Sequence, residues 1–253
     1  MGHLRNFFLE RLDRFSEKSS IDSTDIGKAL ERALKVNRIE VDEEVFFLDG
    51  KGRQIQAKCK AIRPFGFEII NFSQEKKSKP NLHLFLAPPQ GPAFDEAIVQ
   101  ACEIGVDEIT FIKSQHGQNF SERIWKKAEN RILEACLQCG RKWMPSLNPE
   151  WKRADQLDFI NEQQLLVFAD ENLSSLSGIG LQQDYSMEKL SHLESIHICI
   201  GAEGGWAKTE RLSFAKHQAV GLSLGRHILR VPTAIVAAVF YMRTLLSQQK
   251  INK

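Results

Sequence analysis

The 253-residue chain is short of the features that would place it in several large classes. No stretch approaches the roughly 20 consecutive apolar residues that span a bilayer. The richest run, Ile235 to Phe240, is far shorter and reads as part of a buried helix. Met1 to Arg14 has no continuous apolar segment of the kind that directs secretion. An excess of one charge is missing too: 34 Lys and Arg stand against 32 Asp and Glu, a net charge of +2, so bulk charge does not mark a polyanion binder. A local basic patch remains compatible with that total. Cysteine is sparse: Cys59, Cys102, Cys136, Cys139 and Cys199 are odd in number and mostly flanked by apolar residues. That usage argues against a disulfide framework and for a reducing, cytoplasmic compartment with no membrane attachment. No internal repeat is visible.

Catalytic signatures are also scarce. There is no G-x-G-x-x-G and no P-loop Gly-Lys-Ser/Thr. No Ser/His/Asp nucleophile pattern stands out. Cys136-x-x-Cys139 has no second pair at a zinc-like distance, and its helical spacing among apolar neighbours favours packing over ligation, so no metal is expected. His83 and His197 fall inside strands and read as structural, whereas His116 and His227 fall in loops, His227 being the better candidate for substrate contact.

What the chain does have is an ordinary globular balance, 42% hydrophobic and 26% charged, enough for a substantial core. The polar run Phe72 to Asn81, ending in Pro80, divides it into residues 1–74 and 75–253. The first part is β-rich. Glu44 to Leu48 is a short apolar strand, and Asp49-Gly50-Lys51-Gly52 is a turn. Ile55, Ala57 and Cys59 alternate with polar residues as in a half-buried strand. Phe67 to Phe72 follows the turn Pro64-Phe65-Gly66, and a helix over about Thr24 to Val36 carries Ile26, Leu30, Ala33 and Leu34 on one face. Together these predict a compact barrel.

The second part alternates strands and helices. Strands are expected at Leu82–Ala87, Asp107–Lys113, Leu165–Ala169, Ile196–Ile200 and Val220–Leu224. Helices are expected at Phe94–Ile104, Ser121–Cys139, Lys208–His217 and Pro232–Ser247. Gly105 and Gly140 sit where C-terminal stops belong. Residues 170–192 read as a polar loop. The alternation predicts an α/β fold with a parallel sheet covered on both faces.

Two of those strands end abruptly in glycines. The first continues as Ile200-Gly201-Ala202-Glu203-Gly204-Gly205, the second as Leu224-Gly225-Arg226-His227-Ile228-Leu229-Arg230. Glycine lets backbone amides approach a ligand, having no Cβ in the way, and tolerates positive φ. Two such loops at the carboxyl ends of neighbouring strands make a crevice. A phosphate suits it poorly, because Glu203 would repel one. A ligand with hydroxyls, an amine or a positive centre suits it better. S-adenosylmethionine has a ribose, an amine and a sulfonium, and Leu224, Ile228 and Leu229 offer an apolar slot for its adenine. A bare strand-to-helix turn at Gly204-Gly205 is the alternative that spacing leaves open.

The order of these pieces resembles the ribosomal RNA uridine-N3 methyltransferases of the RsmE type, in the SPOUT superfamily. That family's first motif reads Gly-Pro-Glu-Gly-Gly-Phe with an acid on the next helix; here it is Gly201-Ala202-Glu203-Gly204-Gly205-Trp206, then Glu210. Its second motif is matched by Ser223-Leu224-Gly225, Ile228-Leu229-Arg230 and Thr233-Ala234. Weaker likenesses lie at Glu103-Ile104-Gly105-Val106, at Gln138-Cys139-Gly140-Arg141 with Pro145, and at Arg5, Phe7-Phe8 and Val45 to Gly52.

The resemblance implies a small PUA-like β-barrel that grips RNA, followed by an α/β SPOUT domain whose last segment threads a trefoil knot. It implies a homodimer that uses S-adenosylmethionine to methylate a uridine in small-subunit ribosomal RNA. The cofactor set it implies is Phe168, Ile200, Gly201, Ala202, Gly204, Gly205, Leu222, Leu224, Gly225, Ile228 and Leu229. Arg230 and Glu203 would be catalytic, and Arg5, Arg141 and His227 would meet substrate. The chain departs from the pattern at Gln90 and Gln100, where the family has lysines, at Ser114 to Gln118, where it has Glu-Arg-Ser, at Ala202, where it has proline, and at Arg226-His227 and Val231-Pro232. Lost cations weaken phosphate contacts. Lys126, Lys127, Arg131, Arg141 and Lys142 are the available replacements, and the cofactor site is expected to be better preserved than the RNA site.

Overall fold

The computed structural model describes residues 5–15, 19–157, 163–173, 179–181, 190 and 192–251. Part of the expected polar loop over 170–192, namely 174–178, 182–189 and 191, lies outside the described residues. The chain groups into two compact units, Met1–Lys77 with Leu133–Met144, and Ser78–Ile132 with Pro145–Lys253.

In the first unit, β1 (Asn6–Phe8), β2 (Ser20–Ile21), α1 (Lys28–Val36), β3 (Glu44–Leu48), β4 (Arg53–Ile62) and β5 (Phe65–Gln74) follow one another. The strands form one sheet in the order β1-β3-β4-β5-β2, with β1 parallel to β3 and the other pairs antiparallel. The alternation in β4 has its expected result: Ile55, Ala57 and Cys59 are fully buried, against Phe47, Phe67 and Leu34. Residues 133–144 belong here through backbone ties: Gly52 N–H donates to Lys142 O and Met144 N–H to Gly50 O. The Asn6 amide also donates to Leu137 O at 2.7 Å.

The second unit contains β6 (Asn81–Leu86), α2 (Pro92–Ile104), β7 (Glu108–Lys113), β8 (Ser146–Arg153), β9 (Gln164–Ala169), β10 (Ile179–Leu181), β11 (Ser195–Ile200), α3 to α5 and β12 (Val220–Leu224). Here α3 is Arg123–Cys139, whose residues divide between the units after Ile132; α4 is Lys208–Lys216 and α5 is Val231–Ile251. Gly105 ends α2 in the left-handed region at φ 92°. The sheet order is β10-β12-β9-β11-β6-β7-β8.

Six of these strands run parallel, but β10 pairs antiparallel with β12 at one edge, so the sheet is mixed rather than wholly parallel. At the other edge β8 occupies a stretch for which no strand was expected. Its sequence is polar and carries Pro149, which only an edge strand accommodates, and none of its residues is fully buried. The chain inserts β11 between β6 and β9, and then places β12 on the far side of β9. Helix α5 packs on α2, β11 and β12.

Both strand histidines are structural. His83 Nε2 lies 2.8 Å from Thr110 Oγ1, and His197 Nε2 lies 2.8 Å from Ser195 Oγ. Phe85 stacks on His83 with centroids 4.1 Å apart. Burial, then the neighbouring His197 and Lys152, lowers His83 to about 3; burial and Lys152 lower His197 to about 4. Both rings are therefore neutral at physiological pH.

Candidate cofactor and active site

β12, β9 and β11 are adjacent and parallel, so their carboxyl ends share one edge of the sheet. Three segments leave there: 170–173 after β9, 201–207 after β11 and 225–230 after β12. Between them lies a cleft that opens to solvent. Ala169, Asp170 and Glu171 line it from the first segment, Ile200 to Glu203, Gly205 and Trp206 from the second. Leu224, Gly225, His227, Ile228 and Leu229 complete it, with Val231 and Ala234 of α5 beneath. No lysine or arginine is among these lining residues.

The loop after β11 is shaped from below. Trp206 is 2% exposed, donates its indole N–H to Ala169 O at 2.7 Å, and meets Phe214 edge-on, with centroids 4.9 Å apart. The indole lies so close under the loop that a Cβ on Gly201 would stand 3.1 Å from its ring. Gly205 takes φ 70°, and a Cβ there would collide with the Glu171 carboxylate. Gly204 is exposed, and a Cβ would come within 2.9 Å of His116. The loop therefore needs its glycines for packing as well as for turning.

The first turn of α4 clamps the surroundings. Glu210, 3% exposed, accepts Ala207 N–H at 2.7 Å and Gln115 N–H at 2.9 Å, tying the segment after β7 to the start of the helix. Arg211 forms a two-pronged pair with buried Asp170, Nε to Oδ2 and Nη2 to Oδ1, and its Nη2 stands 3.6 Å from Glu171 Oε1. Burial alone would raise the Asp170 carboxyl. Hydrogen bonds from Arg211 and the Asn172 backbone, with the Arg211 charge, outweigh it and hold Asp170 below the usual carboxylate range.

The loop after β12 is built differently. Gly225 has φ 110°, and Arg226, His227 and Ile228 are exposed, Ile228 at 78%. Arg230 lies outside the cleft lining, with its side chain 66% exposed and 3.2 Å from Glu96 on α2.

Of the residues expected to hold a cofactor, Ile200, Gly201, Ala202, Gly205, Leu224, Gly225, Ile228 and Leu229 converge on the cleft, joined by Glu203 and His227. Phe168, Gly204 and Leu222 are not in its lining: Phe168 stacks on Phe214 at 4.7 Å, Leu222 is fully buried, and Gly204 is exposed on the loop. Arg5 and Arg141 belong to the first unit, where Arg5 is paired with Glu43 at 2.7 Å. Sequence reasoning missed Ala169, Asp170, Glu171, Val231 and Ala234. For Asp170 and Glu171 a signal existed, since they directly follow a third apolar strand ending at the same sheet edge. Among the described residues no group of three or more His, Cys, Asp or Glu side chains is placed to hold a metal, and no helix is long and apolar enough to cross a membrane.

The cleft lies at the carboxyl ends of three adjacent parallel strands in a mixed, crossed-over sheet, with two glycine loops among its walls. Residues 76–243 match the model of a family, the RNA methyltransferase domain, and the chain belongs to it. Among curated relatives it is similar to ribosomal RNA small subunit methyltransferase E of Buchnera aphidicola, 27% identical over 200 residues that cover 72% of this chain and 73% of that protein. It is similar also to the protein of the same name from Synechocystis, 28% identical over 225 residues, 84% and 69% of the two chains. In three dimensions it superposes on the Neisseria gonorrhoeae ribosomal RNA small subunit methyltransferase E bound to S-adenosyl methionine with a TM-score of 0.81, at 23% identity, covering 96% of this chain and 98% of that one.

Proposed function

We propose that the protein transfers the methyl group of S-adenosylmethionine to N3 of a uridine in small-subunit ribosomal RNA. The observation that carries this is the cleft at the ends of β12, β9 and β11, lined by Glu171 and Glu203, by Asp170 in its pair with Arg211, and by no lysine or arginine. Such a lining repels a phosphorylated cofactor and suits a cationic one. The glycine cradle fits too: Gly205 takes a left-handed φ with the Glu171 carboxylate where a Cβ would stand, and Gly201 lies directly over Trp206. Leu224, Ile228 and Leu229 supply an apolar wall for adenine. When bound, the cofactor supplies a methyl group already activated by its sulfonium.

The residues of this chain then orient the base and remove its charge penalty. Uridine N3 gives its proton to solvent water before it accepts the methyl group, the negative charge of the anion spreads onto the flanking oxygens, and the cofactor leaves as the neutral thioether. Arg230, exposed at the end of the second loop, presents a guanidinium to those oxygens while Glu96 steadies it. Glu203 and His227, both on the cleft wall, flank the cofactor amine and the base respectively.

The first unit acts as a PUA-like barrel, with Arg5 and Arg141 toward RNA. In the second, the chain after β11 forms a trefoil knot, a topology supported by the insertion of β11 between β6 and β9 and the return of α5 to α2. Exposed Ile228 and Phe240, at 78% and 62%, support a homodimer. The setting is the cytoplasm.

Mass spectrometry of small-subunit ribosomal RNA from a strain lacking the gene tests the assignment. One 3-methyluridine should vanish and return on complementation; an unchanged pattern would point instead to a non-catalytic RNA-binding protein of the same fold.

A further inference from the structure

We propose that Glu171 is the charge-selecting residue of the cleft, favouring the sulfonium cofactor over its neutral thioether product. The inference rests on the cofactor reading above and assigns a role to a side chain that neither glycine loop contains.

Three observations converge on Glu171. Its place is central. Strand β9 lies between β12 and β11, so the segment that follows it faces the middle of a ligand stretched from the second loop to the first. With adenine against Leu224, Ile228 and Leu229, the sulfonium, which joins the nucleoside to the amino-acid tail, is the group that passes over this strand end. Its carboxylate is also held. Oε1 stands 3.6 Å from Arg211 Nη2 and accepts Asn172 Nδ2 at 3.3 Å, and Arg211 is itself locked to buried Asp170. Finally, it has capacity left. Oε2 accepts no hydrogen bond from the described residues. The carboxylate fills the space above Gly205 that any other residue would need for its Cβ.

Of the other lining carboxylates, Asp170 is neutralised by its two-pronged pair with Arg211; Glu203 is exposed, as Glu171 is, but lacks the contacts with Arg211 and Asn172 that hold Glu171. A fixed charge discriminates between ligand charge states better than a swinging one, because it does not reorganise. Cofactor and product share adenine, ribose and the α-ammonium. They differ by one methyl group and one positive charge on sulfur. A carboxylate near the sulfur therefore weights the ratio of the two affinities, whereas one at the ammonium weights both equally.

Calorimetry on the full-length protein separates these cases, with S-adenosylmethionine, S-adenosylhomocysteine and sinefungin, whose amine replaces the sulfonium with a protonated centre. Glu171→Gln should weaken S-adenosylmethionine and sinefungin about fivefold and leave S-adenosylhomocysteine within about twofold, a change expected for one partly screened charge. The difference should shrink as salt is raised, and Glu171→Asp should recover part of it. Equal weakening of all three ligands, or an unchanged ratio, would overturn the proposal. If the unaltered protein bound none of the three, the cofactor assignment itself would fail, a distinct result.

Discussion

The two glycine loops share a sheet edge and a cleft but differ in what holds them. The loop after β11 is fixed from below by the Trp206 indole, from the side by Glu171 across Gly205, and at its exit by Glu210. The loop after β12 leaves Arg226, His227 and Ile228 to solvent, and the exposed Arg230 guanidinium pairs with Glu96. A pre-shaped wall binds its ligand without an ordering cost, whereas an open wall takes its final form with a partner. The contrast makes the first loop the pre-shaped wall of the cleft and the second, which offers the apolar face for adenine, the wall that takes its final form once it is covered.

The largest expected effect comes from breaking the fixed loop. Gly205→Val demands both an unfavourable φ and the space held by Glu171, and should weaken cofactor binding about 100-fold or more by calorimetry. Gly204→Val, where φ is ordinary and the obstacle is the exposed His116, should cost nearer tenfold. In both, the far-ultraviolet circular dichroism of the protein should persist.

Two substitutions probe the supports. Trp206→Phe deletes a buried N–H donor and leaves a void, and should destabilise the protein by about 2 kcal/mol in urea while loosening the cleft. Arg211→Met strands the buried Asp170 carboxylate and should cost about 2 kcal/mol at pH 7, the side chain of Arg211 being one-third exposed. The pH dependence has a definite sign. Asp170 is depressed when folded, so its pair contributes fully above the unfolded value near 4 and is lost as pH falls through the folded value. The gap between the original protein and Arg211→Met should therefore narrow below about pH 4.

At the open loop the effects should be small. Ile228→Ser should alter stability by less than about 0.5 kcal/mol, because the side chain is 78% exposed, and weaken cofactor binding only about threefold. A stability loss there comparable with that of Trp206→Phe would erase the distinction between the loops.

Most of this framework was legible in the sequence, because periodicity reports burial directly. Val220–Leu224 and Glu44–Leu48 fall where their apolar runs put them, and Gly105 ends its helix in the conformation that only a residue without Cβ adopts freely. The edges were harder to read. β8 and β10 lie at the two margins of their sheet, where a strand needs no apolar alternation, so both were missed, and with β10 the mixed character of the sheet. The two glycine loops stood out by composition. The third wall, Asp170 and Glu171, did not, because its importance comes from β9 lying between β12 and β11, an order that no local pattern records. Arg230 was legible as a motif residue, but its partner Glu96 lies 134 positions away.

A crystal structure of the protein soaked with S-adenosylmethionine tests the central claim most directly. The account predicts the nucleoside between Gly201–Gly205 and Gly225–Leu229, its adenine against Leu224 and Ile228 and its sulfur toward Glu171. Density for the ligand at another surface, or an empty cleft at saturating concentration, would contradict it.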